Sequence, residues 1–454
     1  MSQTVSKRRP FSFYMCASTF SFERAAYYSA KWLLYIYLTT AIVQGGLGLS
    51  KEVAAGAQSW LVAATYLMPV LFGFIADKFV GARYLIPLGM FIMAAGYLVA
   101  GFVESYSAVI TMVVLVSLGT GFFKANLAAV TGNLFPKQED KDAAYSIMYS
   151  FINVGSFVGT TAMGVLYVSL GTNGAYGFMH CFKIAGALCL LGGVWFILGW
   201  KSLGDVGKYP FKQGIEEKKE IVEKRPLEAY EKRRVGSIFL ISGFSVIFWI
   251  FWYLTYLAVY DYAPVYVDLN FGGYEIPTAW FDSENALLCI LLGPILAGVW
   301  TKLAKRPQGD MSLYKKLGLG LFLLGASFFM LIGAEVQRGI GAPETAKASI
   351  LWIVMFGVLL SLGEMVFSPL GYSFVSKYSP KHILSSMVAV WVVATFLAGK
   401  LYGDIYSWTL TMDFFKVYLW IGIVLAVLGV ILFIFDKKLA SLVELREGET
   451  LIEE

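Results

Sequence analysis

Glu23, Arg24, Lys31, Lys124 and Glu364 are charged side chains set inside long apolar stretches of this sequence. In the middle of a membrane-spanning helix each such charge costs about 2.5 to 3.5 kcal/mol, so it normally faces a polar cavity or a partner of opposite sign. Arg24 and Lys31 are seven residues apart, which returns a helix to nearly the same face about 10 Å along its axis. Tyr28 lies between them on that face. Two cations and a phenol so arranged predict a site for a carboxylate, whose arrival relieves their mutual repulsion. Glu23 sits about 100° around the helix from Arg24 and balances it from the side. The competing reading is that Glu23 and Arg24 pair with charges on neighbouring helices and only hold a bundle together.

The stretch GTGFFKANLAAVTGNLF places Lys124 beside Gly119 and Gly121, small residues that admit a second helix, and adds the amide of Asn126. FINVGS contributes Asn153. GEMVFSPLGYSF carries Glu364, with Ser368 one turn later on the same face and Pro369 breaking the hydrogen-bond ladder as a hinge. A lone acid set against several cations predicts a polar solute held with its anionic end toward the first half of the chain and its cationic end toward the second.

Long helices must carry these groups. The chain has 454 residues, 58% of them hydrophobic and 15% charged, against roughly 25% charge in an ordinary soluble domain. Sustained apolarity predicts an all-α polytopic membrane protein with helices near 11–43, 52–76, 84–103, 107–134, 143–169 and 178–200, then 236–262, 279–303, 314–333, 348–376, 383–406 and 414–436. That is a six-helix bundle over 1–200, a charged cytoplasmic linker over 201–235, read as a solvated tether, and a second six-helix bundle over 236–454. After Lys7, Arg8 and Arg9 the apolar run outlasts a signal-peptide core, so the first helix is expected to remain as a span.

The bias of Lys and Arg toward the cytoplasm places both termini inside and leaves Lys51, Lys183, Arg338, Lys347, Lys400 and Lys416 outside. Between Gly236 and Trp300 there is no Lys or Arg, while Asp261, Asp268, Glu275 and Asp282 are present, so an external loop is expected there. A net charge of +5 without a basic stripe argues against nucleic acid. Cys16, Cys181, Cys189 and Cys289 lack paired spacing, and neither metal nor cofactor is expected. His180 and His382 are far apart, and no G-x-S-x-G or H-E-x-x-H occurs, which argues against a membrane enzyme. The regular filter sequences of a channel are absent too. Nothing in the sequence marks an obligate protein partner.

Between the second and third helices, GFIADKFVGAR (Gly73 to Arg83) resembles the Gly-x-x-x-Asp-Arg/Lys-x-x-Gly-x-Arg loop of the major facilitator superfamily. Gly73 would permit close helix approach, and Asp77, at a helix end, would pair with a base or a helix N-terminus in one conformational state, a gating loop. GVWTKLAKRPQGD in the second half keeps only the basic character. Further motifs resemble the proton-dependent oligopeptide transporter family. SFERAAYYSAK (Ser21 to Lys31) is similar to its E-x-x-E-R-F-x-Y-Y, and G-x-G-x-x-K-x-N spans Gly119 to Asn126. YSIMYSFINVGS is similar to the family's second signature. WFDSENALLCILLGPILAGVWTKLAKR, SLGEMVFSPLGYSFVSKYSP, and Trp391 with Thr395 complete the match.

The resemblance implies the major facilitator fold, with substrate bound near the midplane where the two halves meet. It implies uptake of small peptides with protons at the bacterial cytoplasmic (inner) membrane. It implies that Arg24, Lys31 and Lys124, with Asn153 nearby, hold the peptide carboxylate. Glu364 and Asn285 would hold the amino group, and Tyr27, Tyr28, Tyr66 and Trp391 would line the pocket. Two departures bear on coupling: Phe20 stands where the family has its first glutamate, and FWIFWYLTY puts Tyr253 and Leu254 where it has polar groups. Coupling is then expected to rely on Glu23 with Arg24 and Lys124. A transporter of another small anionic or zwitterionic solute, including a facilitator without proton coupling, is the alternative reading.

Overall fold

The computed structural model describes residues 9–211, 226–446 and 449. In hydrocarbon no water is available to the backbone, so the apolar runs satisfy their own N–H and C=O groups as helices. Before the linker these are α1 (Phe11–Thr39), α2 (Lys51–Lys78), α3 (Ala82–Phe102), α4 (Tyr106–Asn133), α5 (Gln138–Ser169) and α6 (Phe178–Gly199). After it come α7 (Ala229–Tyr253), α8 (Ala263–Tyr266), α9 (Ala279–Ala304), α10 (Leu313–Arg338) and α11 (Ile350–Phe367). α12 (Leu370–Tyr378), α13 (Leu384–Thr409), α14 (Phe414–Ile434) and α15 (Asp436–Ala440) complete the series. Eleven helical segments among the described residues are long and apolar enough to cross a membrane. α1, at 29 residues, has the length as well, though Glu23, Arg24 and Lys31 interrupt its apolarity, and a count of twelve is compatible with these helices. The protein is an integral membrane protein.

Several sequence expectations need correction in detail. The run over 348–376 breaks where Pro369 was expected to interrupt the ladder, α11 ending at Phe367 and α12 starting at Leu370, because Pro369 has no N–H to continue it. The linker expected to reach residue 235 ends earlier, because α7 starts at Ala229 behind a reciprocal Glu228–Glu231 capping box. Residues 212–225 of that linker lie outside the described residues. Asp261, at the end of the helix expected over 236–262, is buried in a turn of π-helix over Leu257–Tyr262, bound by Lys51 Nζ at 2.9 Å and by Tyr406 Oη at 2.6 Å. The segments before α9 and before α11 form two small sheets that hydropathy does not reveal. β1 (Val267–Asp268) pairs in parallel with β4 (Ala348–Ser349), and β2 (Asn270–Phe271) forms a hairpin with β3 (Tyr274–Glu275) through Gly272 and Gly273. Arg338 is no free loop charge either, since it bonds Glu335 and the carbonyls of Ala342, Pro343 and Ala346.

The chain divides into two compact units, Met1–Ser50 with Ala64–Glu216, and Lys51–Ala63 with Glu217–Glu454. The first half of α2 groups with the second unit, where it packs on α13. A Cβ on Gly403 would lie 2.5 Å from Ser59 Oγ, and Tyr402 Oη meets Gln58 Oε1 at 3.1 Å. Lipid gives no hydrophobic incentive for helices to associate, so close packing through small residues does the work. In the first unit α3 and α4 touch backbone to backbone, a Cβ on Gly89 or Gly119 falling 2.5 Å from the other's carbonyl oxygen. Gly121 admits Met68 and Phe72 of α2 at 2.9 Å, and Gly159 of α5 would meet Ala25 of α1 at 2.6 Å. In the second unit α10 and α14 meet at Gly318 and Gly429, each 2.8 Å from the other's carbonyl oxygen by the same measure.

Candidate functional site

Of the charged residues expected from the sequence, Glu23, Arg24, Lys31 and Lys124 lie in the first unit and Glu364 lies in the second. On α1, Glu23 is fully buried and Arg24 is 6% exposed. They bind each other rather than neighbouring helices, through Arg24 Nε to Glu23 Oε2 and Arg24 Nη2 to Glu23 Oε1, both at 2.5 Å. The Arg24 guanidinium also lies 4.6 Å from the centre of the Tyr27 ring and 5.6 Å from that of Tyr28. Lys31 Nζ lies 4.9 Å from the same Tyr28 ring. One phenol thus serves both cations, as the spacing on α1 predicts. From α4, Lys124 Nζ sits 4.7 Å above the Tyr66 ring of α2, and the hydroxyls of Tyr27 and Thr65 are 3.2 Å apart. Such aromatic faces stabilise desolvated cations without neutralising them.

Two amides of this unit turn back on their own helices. Asn126 Nδ2 donates to the Phe122 carbonyl at 2.7 Å and Asn153 Nδ2 to that of Tyr149 at 3.0 Å. Phe20, in place of an acid, packs edge to face on Phe123 of α4 at 5.2 Å, so the α1–α4 contact here is apolar. In the Gly73–Arg83 segment no described atom lies within 4 Å of a Cβ on Gly73, so the expected close helix approach does not occur there. Asp77 is half-buried near the end of α2. Arg83 ties the start of α3 to the segment after α6, donating to the Gly204 carbonyl and, at 3.0 Å, to that of Val206.

In the second unit Glu364 of α11 is held at one oxygen. Asn285 Nδ2 of α9 donates to its Oε2 at 2.8 Å and Trp252 Nε1 of α7 to the same atom at 3.1 Å. Asn285 also reaches Ser361 Oγ at 3.1 Å. Ser368 continues the helical ladder, its N–H donating to the Glu364 carbonyl at 2.7 Å just before the Pro369 break. Trp391 of α13 is buried with its ring where a Cβ on Gly371 of α12 would be, and Thr395 Oγ1 donates to the Trp391 carbonyl at 3.1 Å. Tyr253 joins an aromatic cluster with Trp249, Trp252, Tyr256 and Tyr402.

Trp252 and Ser361 were not among the sequence candidates, because an indole in an aromatic run and a serine in an apolar one carry no signal of their own. Glu284 of α9, adjacent to Asn285 near the start of the helix expected over 279–303, was not among them either.

The profile of the Major Facilitator Superfamily matches residues 22–399. An uncharacterized transporter of Bacillus subtilis (strain 168), YclF, is 27% identical over 81% of this chain and 82% of its own. A di-/tripeptide transporter of Lactococcus lactis subsp. cremoris is 26% identical over 92% of this chain and 94% of its own. A crystal structure of the peptide transporter POT in complex with sulfate matches with a TM-score of 0.84 and 24% identity, covering 95% of this chain and 96% of that one. A POT family transporter in complex with 5-aminolevulinic acid gives a TM-score of 0.82 and 22% identity, over 95% of this chain and 97% of that one. These structures share its fold, and with the superfamily profile running across both units, the chain belongs to the Major Facilitator Superfamily of transporters.

Proposed function

We propose that the protein takes up di- and tripeptides by alternating access, driven by the proton gradient across a bacterial cytoplasmic membrane with both termini inside. The observation that carries this reading is the presence of a cation cluster seated on tyrosines in one unit and of a glutamate held by Asn285 and Trp252 in the other. In this reading Arg24, Lys31 and Lys124, with Asn153, take the peptide carboxylate, and Glu364 with Asn285 takes its ammonium. Tyr27, Tyr28, Tyr66, Ser368, Trp391 and Thr395 line the site, and Glu23 with Arg24 and Lys124 carries the coupling. The segment with Asp77 and Arg83 is the gate. A peptide is the common solute whose unlike charges are separated by a variable, uncharged body, and aromatic walls accept such a body without demanding one side chain. Relatives named as peptide transporters support the same substrate.

The test is uptake of a labelled dipeptide into liposomes containing the protein, under an inward proton gradient. Competition by unlabelled di- and tripeptides, and not by free amino acids or dicarboxylates, is the expected result. Uptake that peptides do not compete for would assign the scaffold to another solute.

A further inference from the structure

α9 carries two carboxyl groups just before Asn285. Asp282 accepts a hydrogen bond from Tyr260 Oη at 2.9 Å. Glu284 Oε2, in contrast, is buried with no hydrogen-bond partner among the described residues. The Glu284 carboxyl lies against Gly357 of α11, where an added Cβ would be 2.5 Å from Oε2, 2.8 Å from Cδ and 3.1 Å from Oε1. Only a glycine leaves the carboxyl room to lie there.

α9 packs on α11 and on the π-helical turn over Leu257–Tyr262. α11 offers one ionisable group, Glu364. The turn offers Tyr260, which is bonded to Asp282, Asp261, which is bonded to Lys51 and Tyr406, and Tyr262. On α9 itself the other ionisable groups are Asp282, Cys289 and Lys302, the last about 27 Å along the axis. Neither packed element contributes a Lys, Arg or His. An anion in this position would leave a buried oxygen with neither donor nor cation, a cost of several kcal/mol that a neutral acid avoids.

The same helix pair holds the candidate ammonium site. Gly357, Ser361 and Glu364 lie at spacings of four and three on one face of α11. Asn285, next to Glu284, bonds both Ser361 and Glu364 across it. Parting α9 from α11 so that water reaches Glu284 therefore loosens the bonds that orient Glu364.

We infer that Glu284, cradled by Gly357, is a proton-binding site of the transport cycle, loaded while α9 and α11 are closed and emptied to water when they part. The O–H bond forms with a proton from the water on one side of the membrane and breaks to the water on the other, with no other group altered. The inference rests on the reading of a proton-driven peptide transporter, and supplies an acid in a chain that has Phe20 and Tyr253 at two coupling positions.

Two measurements on the reconstituted full-length protein test it. Infrared difference spectra across a pH jump, without peptide, are expected to show the carbonyl band of a buried protonated carboxyl that disappears in Glu284→Gln and persists in Glu364→Gln. Dipeptide accumulation driven by a proton gradient is expected to fall to simple equilibration in Glu284→Gln, while counterflow exchange, which also reports folding, survives. Gly357→Ala, which crowds the carboxyl out of its cradle, should reduce accumulation as well and add nothing to Glu284→Gln. An unchanged infrared band together with unchanged accumulation in Glu284→Gln overturns the proposal. If the intact protein shows no dipeptide counterflow, the peptide reading fails, and the infrared band alone still decides whether Glu284 binds a proton.

Discussion

Glu23 and Arg24 are consecutive residues whose side chains lock together through two hydrogen bonds of 2.5 Å. The Arg24 guanidinium is thus shared between this carboxylate and the faces of Tyr27 and Tyr28. In the proposed coupling, an arriving peptide carboxylate is the group that would draw Arg24 away from Glu23. Glu23→Gln is predicted to keep counterflow exchange and to lose accumulation driven by a proton gradient, with no pH change inside the liposomes during uptake. An intact protein that equilibrates peptide and moves no protons would show a facilitator instead.

Glu364→Gln keeps the size of the side chain and removes its charge. At an effective dielectric near 20, opposite charges 4 Å apart attract by about 4 kcal/mol, so uptake is expected to fall at least tenfold with expression unchanged. Trp252→Phe removes one donor to Glu364 Oε2 while Asn285 remains, and should cost on the order of 1 kcal/mol in peptide affinity. Dissociation constants for the two variants rank them; a Trp252 effect equal to or larger than that of Glu364 would contradict the assignment.

Lys124→Ala should impair uptake of free peptides, by about 1.5 to 3 kcal/mol if its ammonium bonds the carboxylate. A peptide amidated at its C-terminus should bind the intact protein poorly and lose little more in the variant, because the two changes delete one interaction. Additive losses in this cycle would show that Lys124 and the carboxylate do not meet.

Outside the membrane span, Asp413 caps α14 by accepting from the Lys416 N–H at 2.9 Å and pairs with its ammonium at 2.6 Å. The Lys416 side chain and backbone N–H hold the Asp413 carboxyl below the usual carboxylate range. The cap is therefore complete above about pH 4 and is lost as pH falls further and the carboxyl takes up a proton. Asp413→Ala is predicted to lower stability by about 1 kcal/mol at neutral pH, read from thermal unfolding in detergent, with the difference from the intact protein closing in acid. Asp413→Asn should keep most of the cap.

The helices were legible because lipid leaves an apolar run of ~20 residues little alternative to helix. The costly charges were legible for the same reason, and the shared Tyr28 face followed from 3.6-residue periodicity. What remained hidden depended on partners distant in sequence. Trp252 becomes a donor only because α7 brings it to Glu364, and Asp261 gains its partners only where Lys51 and Tyr406 close around it. Glu284 sits in WFDSENALL, near a helix start; the room its carboxyl occupies is left by the glycine at 357. Gly73 shows the reverse error, a motif glycine with no described atom near its Cβ position in this conformation.

The ring of Trp391 occupies the space that a Cβ on residue 371 would need. Even the smallest side chain at 371 must evict that indole, while shrinking residue 391 with glycine retained opens a void between α12 and α13. Neither change is neutral alone, so the two positions form a single heritable unit. Among related sequences, glycine at 371 and a large ring at 391 should be gained and lost together.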